Sequence, residues 1–314
     1  MSRLVQVNGL RMHIVEHGAG PLVVLLHGFP ELSSTWRHQL PALAAAGYRV
    51  VAPDQRGYGQ TDAPERTDAY TMFHLVGDVI GLLDALGEDR AVVIGHDWGA
   101  PVAWSAAQWR PDRIRAVAGL SVPPRDRATA APTQTLRRLF GDDFYQVYFQ
   151  EPGVAERELE ADVRGGLRRL MYAASGDVPG AQRWNLMARG GVVANLADPA
   201  TLPAWFDEAH LDALVTAFSR TGFRGALSWY RNLDRNWELS GAFGGLRIAQ
   251  PALFMIGDAD PLYPPMRLAI EGLAQLAPGL RGSIVVPGCG HWMAEERPAE
   301  VNAALVEFLG GLAS

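Results

Sequence analysis

Short runs of consecutive apolar residues alternate along this chain with stretches in which apolar positions recur every three or four residues. The first kind reads as buried strands and the second as helices packed on a sheet, the pattern of an α/β domain with a mostly parallel sheet. Residues 21–26 predict a strand, followed by a Gly/Pro turn at His27-Gly28-Phe29-Pro30. A helix running toward Ala45 comes next, with Ser33 or Ser34 as its cap. Residues 48–52 predict a strand that ends in the loop Asp54-Gln55-Arg56-Gly57-Tyr58-Gly59. Leu75, Val76, Val79, Leu82, Leu83 and Leu86 share one face of a helix over 71–86 that Gly87 closes. Residues 91–94 and 114–120 predict strands on either side of a helix over 100–109, which Pro111 stops.

The pattern changes after Pro123-Pro124. From there to about residue 245 the chain carries helical patterns, aromatic residues and arginines, and no run that reads as a strand. Alternation resumes with predicted strands at 251–256 and 283–286. Pro298 then opens a last helix, with Val301, Ala304, Leu305, Phe308 and Leu309 as its buried stripe. The expected organisation is a core domain formed by 1–121 and 243–314, interrupted by a helical cap over 122–242.

Composition narrows the possibilities. A chain of 314 residues accommodates one large α/β domain with an insertion. A net charge of −6 without any basic run gives no attraction to nucleic acid or to an anionic membrane. All 28 basic residues are arginine, which excludes a Schiff-base lysine. The lone Cys289 allows no internal disulfide and reads as a small buried residue. The N-terminus lacks a signal-peptide core, and the apolar run over 22–26 is too short to span a bilayer. The expectation is a cytoplasmic enzyme.

The candidate chemistry centres on Gly95-His96-Asp97-Trp98-Gly99. A strand, a turn with glycines two residues either side of its centre, and a following helix form the layout of a nucleophile elbow. The glycines allow strand and helix to approach closely, and the central side chain stands at a helix N-terminus that favours negative charge. Here that side chain is a carboxylate. Attack by a carboxylate on an acyl carbon would give an anhydride, whereas attack on a saturated carbon gives an ester that water can cleave. The substrate therefore carries an electrophilic sp³ carbon with a leaving group, such as an epoxide or a halide. An ionised Asp97 needs no base for its attack; a base is required only to activate the water of the second step.

In an elbow of this type the acid and the histidine follow the nucleophile in the chain. Two predicted strands end in Gly257-Asp258-Ala259-Asp260 and in Pro287-Gly288-Cys289-Gly290-His291. His291 is the expected base, oriented by Asp260, with Asp258 as the alternative. His27 and His96 adjoin the site as loop-holding residues. His13, His17, His38, His74 and His210 lack any matching context. The backbone N–H groups of Phe29 and Trp98 are the expected oxyanion donors for the ester-cleaving step. No metal or cofactor is implied, because HExxH and CxxC spacings are absent.

His27-Gly28-Phe29-Pro30-Glu31, the elbow, the segment 149–156 and Trp229-Tyr230-Arg231-Asn232 resemble the hydrolase domain of soluble epoxide hydrolases, members of the α/β-hydrolase superfamily. The likeness extends over nearly the whole chain. The elbow and His-Gly-Phe-Pro are shared with haloalkane dehalogenases, while the two cap segments are more specific to epoxide hydrolases. The resemblance implies a small-molecule epoxide and water as substrates, and two cap tyrosines that protonate the epoxide oxygen. Tyr145 and Tyr230 match those positions, with Tyr148 one helical turn from Tyr145 as an alternative to it. A phenol suits the task because it stays protonated at neutral pH yet can donate to an alkoxide.

The sequence departs from the family at Gly57-Tyr58-Gly59-Gln60-Thr61-Asp62, where Gly-Tyr-Gly-x-Ser-Ser is frequent, which implies a local loop change. A haloalkane dehalogenase is the first alternative, disfavoured because a departing halide needs no proton. Fluoroacetate-type dehalogenases place Arg after the nucleophile, where this chain has Trp98. A non-catalytic receptor on the same fold is the second alternative, which loss of a triad member would support.

Overall fold

The computed structural model describes residues 1–312. Strands β1 (Ser2–Val7) and β2 (Leu10–His17) form an antiparallel hairpin at one edge of the sheet. Neither was assigned from the hydrophobic pattern, although the turn between them is Asn8-Gly9. Both of its residues have positive φ (48° and 79°), the backbone that a two-residue hairpin requires and that Asn-Gly adopts most readily. The remaining strands are β3 (Leu22–Leu26), β4 (Arg49–Pro53), β5 (Ala91–His96), β6 (Ile114–Leu120), β7 (Ala252–Gly257) and β8 (Leu280–Val286). The eight-stranded sheet has the order β1-β2-β4-β3-β5-β6-β7-β8, parallel from β4 onward.

Helices α1 (Gln39–Ala45), α2 (Met72–Leu86) and α3 (Gly99–Trp109) connect the first strands. Strand side chains point alternately to opposite faces. Val23 and Leu25 of β3 join one apolar layer with Leu40 and Leu43 of α1, while Val24 and Leu26 join the other with Val79 and Leu83 of α2. Each such fully buried side chain contributes about 1.5–3 kcal/mol. Gly87 ends α2 with φ 72°, the left-handed geometry in which glycine carries no Cβ penalty.

Between β6 and β7 lie α4 (Pro132–Phe140), α5 (Tyr145–Tyr148), α6 (Val154–Ala161), α7 (Val163–Ala173), α8 (Glu208–Thr221), α9 (Arg224–Arg231) and α10 (Leu233–Leu239). No strand occurs there among the described residues; Phe144 and Met187 form a single bridge. Helices α11 (Tyr263–Glu271), α12 (Leu273–Leu276), α13 (Met293–Glu296) and α14 (Pro298–Gly310) complete the fold. No helix among the described residues is long and apolar enough to cross a membrane.

Two local expectations need correction. Neither Ser33 nor Ser34 caps a helix: a 3-10 turn over Ser33–Trp36 precedes α1. Ser33 instead donates through N–H and Oγ to Asp54 Oδ1, at 3.0 and 2.7 Å, tying this turn to the end of β4. Strand β8 begins at Leu280 rather than at residue 283. It is a largely exposed edge strand, so Arg281, Gly282 and Ser283 interrupt the apolar signal that marks a buried one.

Candidate active site

The residues at the carboxyl ends of β3, β5, β7 and β8 line one cavity with side chains of α5 and α9, the place where open α/β sheets bind ligands. Strand β5 delivers Asp97, which adopts φ 48°, rare for a residue with a Cβ. The turn leaves no room at its flanks. A Cβ on Gly95 would come within 2.1 Å of Gly99 O, and one on Gly99 within 2.0 Å of Leu26 O. Gly28 faces the nucleophile so closely that a Cβ there would lie 2.3 Å from Asp97 Oδ1. That approach lets Phe29 N–H donate to Asp97 Oδ1 at 2.8 Å. No hydrogen bond from Trp98 N–H reaches the carboxylate among the described residues.

His291 Nε2 lies 3.5 Å from Asp97 Oδ2 on one side. Its Nδ1 meets Asp260 Oδ2 at 2.9 Å on the other. Asp260 is buried, and its second oxygen accepts from Leu262 N–H at 2.8 Å, which fixes the carboxylate plane. Asp258, the alternative, is exposed and accepts from Gly288 N–H at 2.7 Å, turned away from the imidazole. Burial works against charge on His291, yet the carboxylates of Asp260 and Asp97 hold its pKa well above the usual histidine range.

Helices α5 and α9 place Tyr145 and Tyr230 in the cavity that Asp97 lines. Both are buried, with ring centroids 6.0 Å apart. Tyr145 N–H donates to Leu186 O at 3.0 Å, and Gln146 Nε2 donates to the Tyr145 hydroxyl at 2.8 Å. The neighbours of Tyr230 anchor α9 on both sides. Trp229 Nε1 donates to Arg56 O in the core at 3.1 Å, and Arg231 pairs with Glu156 through two bonds of 2.6 and 2.8 Å. Asn232 Nδ2 donates to Thr67 O at 2.6 Å. Burial raises both phenol pKa values, and the Asp97 charge raises them further. Tyr148 is directed elsewhere, its hydroxyl donating to Glu158 Oε2 at 3.0 Å.

His27 and His96 are both buried beneath the site. His27 Nδ1 donates to Gly28 O at 2.8 Å while Nε2 accepts from Gln55 N–H at 3.0 Å, a neutral tautomer. His96 faces two acceptors: Glu31 Oε2 at 2.7 Å from Nδ1 and His291 O at 2.8 Å from Nε2. Both ring nitrogens must therefore donate, so His96 is an imidazolium paired with Glu31. Burial opposes that charge, but Glu31 outweighs it and raises the His96 pKa. Glu31 itself is lowered to about 2, since His96 and Thr35 overcome the penalty of burial. This pair links the Phe29 loop to the backbone of His291. Sequence reading gave His96 a loop-holding part but missed Glu31 as its partner, and an acidic residue directly after the turn at 27–30 was the available signal.

Two further side chains went unassigned. Trp184 packs edge-on to Tyr145 at 5.0 Å, and Arg125 lines the cavity beyond it. Cys289 is fully buried, and burial pushes its thiol pKa up, so it is unreactive. The departure at Gly57–Asp62 is a substitution of loop ties: Thr61 Oγ1 accepts from His13 N–H at 3.0 Å and Asp62 accepts from Arg11 N–H at 2.9 Å.

Asp97 lies where two spaces join. A narrow one of about 40 Å³ reaches Leu170, Trp184 and Trp292. A larger one of about 580 Å³ runs under α4 and α10, walled by Trp98, Trp104, Leu136, Phe140 and Trp237. Their combined character, apolar walls around a few convergent polar groups, suits a small apolar ligand.

Residues 21–298 match the family described by the alpha/beta hydrolase fold. Epoxide hydrolase A of Mycobacterium tuberculosis is 48% identical over 99% of this chain and 97% of its own length. The crystal structure of epoxide hydrolase A from Mycobacterium thermoresistibile superposes with a TM-score of 0.94 at 49% identity, covering 100% of this chain and 99% of that one. An epoxide hydrolase from an endophytic Streptomyces gives a TM-score of 0.96 at 46% identity, covering 99% and 96%. The chain belongs to the α/β-hydrolase fold family and, within it, to the epoxide hydrolases.

Proposed function

We propose that this enzyme converts an epoxide and water to a vicinal diol through an ester formed on Asp97. One observation carries the reading: a carboxylate nucleophile and two cap phenols line one cavity, with His291 Nε2 3.5 Å from the carboxylate. The Phe29 N–H occupies Asp97 Oδ1, which leaves Oδ2 as the attacking oxygen. Attack on a ring carbon forms the ester C–O bond and breaks the ring C–O bond, and Tyr145 or Tyr230 gives the departing oxygen its proton. The second phenol donates a hydrogen bond to the same oxygen.

In the second step His291 takes a proton from water, whose oxygen attacks the ester carbonyl carbon. The developing charge falls on Oδ1, opposite Phe29 N–H. Collapse frees the alcohol and restores the carboxylate. Of the two water protons, one reaches the leaving alcohol through His291 and the other restores the phenol.

The electrostatics supply the timing. Asp97 and Asp260 together favour the imidazolium in the resting enzyme. Esterification removes the Asp97 charge, so the His291 pKa falls, the ring releases its proton to solvent and becomes available as a base, and it recovers a proton from solvent once the Asp97 carboxylate is restored. A haloalkane dehalogenase would have no use for the paired phenols.

The test is mass spectrometry of intact protein mixed with styrene oxide, using wild type, H291Q and D97A. H291Q should accumulate an adduct equal in mass to one epoxide, wild type should release diol, and D97A should do neither. Diol formation by D97A at the wild-type rate would overturn the reading.

A further inference from the structure

The segment that carries His291 turns into the short helix α13, whose last residue is Glu296. Glu296 is buried, and neither chemical step above uses it. Its two oxygens accept three backbone N–H groups. Oε2 takes Gly290 N–H and Gly176 N–H, both at 2.9 Å, and Oε1 takes Trp292 N–H at 3.1 Å. Gly290 and Trp292 stand on either side of His291, while Gly176 follows α7 in the insertion between β6 and β7. Burial raises the Glu296 pKa to about 6, against the lowering by those N–H groups. Near neutral pH it is therefore a carboxylate that accepts on both oxygens. One side chain joins the backbone of the general base to the backbone of the cap.

The two backbones meet with no side chain between them. His291 N–H donates to Ala174 O at 2.8 Å, and Trp292 Nε1 donates to Met171 O at 2.6 Å. A Cβ on Gly290 would collide with Gly176 N, and one on Gly176 would lie 2.5 Å from Gly288 O and 2.9 Å from Glu296 Oε2. The N–H groups of Gly290 and Trp292 are buried by this approach, and a buried N–H without an acceptor is costly. An amide in place of the carboxylate offers one accepting oxygen, and its NH2 would face an N–H. Glu295, equally buried, is turned the other way: it pairs with Arg37 at 2.7 Å and faces His210 Nδ1 at 3.2 Å. Of the two acidic side chains of α13, Glu296 is the one that bonds the backbone beside His291.

We propose that Glu296 is a positioning residue for ester hydrolysis: it locks the backbone on both sides of His291 to the cap and so sets where the imidazole stands beside Asp97. The inference rests on the epoxide-hydrolase reading above. Glu296 touches neither substrate nor reacting atoms and acts through His291. Its influence falls on one step. Ester formation draws on Asp97, Tyr145 and Tyr230, and the Glu296 carboxylate bonds none of the segments that bear them. Ester hydrolysis needs His291 Nε2 within reach of a water at the Asp97 carbonyl, where a shift of about 1 Å costs roughly 100-fold. Asp260 fixes the ring at Nδ1; Glu296 fixes the main chain from which the ring projects.

Rapid-quench single-turnover kinetics with styrene oxide, read by mass spectrometry of intact protein, separates formation of the ester from its decay. Wild type, E296Q, G176A and E295Q are compared, with urea unfolding run on each. E296Q should form the adduct within about threefold of the wild-type rate and hydrolyse it more slowly by roughly tenfold or more. G176A, which sets a methyl group against Gly288 O and Glu296 from the cap side, should show the same split. E295Q should lose stability yet keep the wild-type decay rate, which separates positioning from a general loosening of α13. If E296Q hydrolyses the ester at the wild-type rate, slows formation as much as decay, or is matched by E295Q, the positioning role is overturned and the hydrolase reading stands. Where E296Q does not fold, G176A decides in the same terms. If wild type forms neither adduct nor diol, both readings are overturned.

Discussion

Replacing Glu31 by glutamine tests whether the buried Glu31–His96 pair holds the site together. In the native arrangement His96 donates from both ring nitrogens, to Glu31 and to the backbone carbonyl of His291. Glutamine keeps the shape but not the charge, so His96 becomes neutral and retains one N–H for two acceptors. Either His96 then leaves one acceptor unserved, or the amide turns its NH2 toward Nδ1 and no longer accepts from Gly28 N–H, and in both cases the charge-assisted bond is lost. The gap between an ordinary glutamate at 4.5 and the value of about 2 in this fold corresponds to about 3 kcal/mol. Because the folded pKa is depressed, that stabilisation is complete above about pH 4.5 and fades as pH falls toward 2.

Equilibrium urea unfolding of wild type and E31Q should therefore differ by about 3 kcal/mol near neutral pH and by about 2 kcal/mol near pH 3.5. A difference below about 0.5 kcal/mol at neutral pH would show that the pair adds nothing beyond a neutral hydrogen bond. A full difference that persists unchanged at the lower pH would refute the assignment of the charge to Glu31.

Y145F and Y230F should each lower kcat/KM for styrene oxide by about 10- to 100-fold, the worth of a hydrogen bond to a charged oxygen, and Y148F should stay within about twofold. The double variant Y145F/Y230F should lose more than the product of the two, because no proton donor remains; equal rates in Y145F and Y148F would contradict the placement. D260N should slow ester hydrolysis by about 100-fold or more and accumulate the adduct, as expected when a general base loses its orienting partner, while D258N should match wild type within about twofold. Rapid-quench kinetics separates the two steps, and a D258N defect as large as that of D260N would refute the geometric choice between them.

Much of this architecture was legible because its signals are local. The apolar runs at β3, β5 and β7, the glycines flanking Asp97, and Gly87 at the end of α2 each follow from short-range sterics or burial on both faces. The hairpin β1–β2 was equally local in its Asn8-Gly9 turn and was overlooked because its strands are half exposed. Strand β8 was shortened for a related reason, since an edge strand need not be apolar. The supposed cap at Ser33 failed because a side chain that can cap a helix can also bond a distant carboxylate, and here Asp54 supplied one.

The sequence by itself determined the fold class, the carboxylate at the elbow and the short set of side chains able to partner it. The tertiary structure decided which members of that set meet. Asp260 rather than Asp258 reaches His291, because two residues along the loop after β7 separate a buried position from an exposed one. Tyr145 rather than Tyr148 overlooks Asp97, because one turn of α5 directs the other hydroxyl to Glu158. Glu31 meets His96 across 65 residues, and the cavity beside Asp97 takes its walls from residues as far apart in the chain as Trp98, Phe140 and Trp237. Such pairings depend on how helices and loops dock through space, and no local spacing along the chain encodes that.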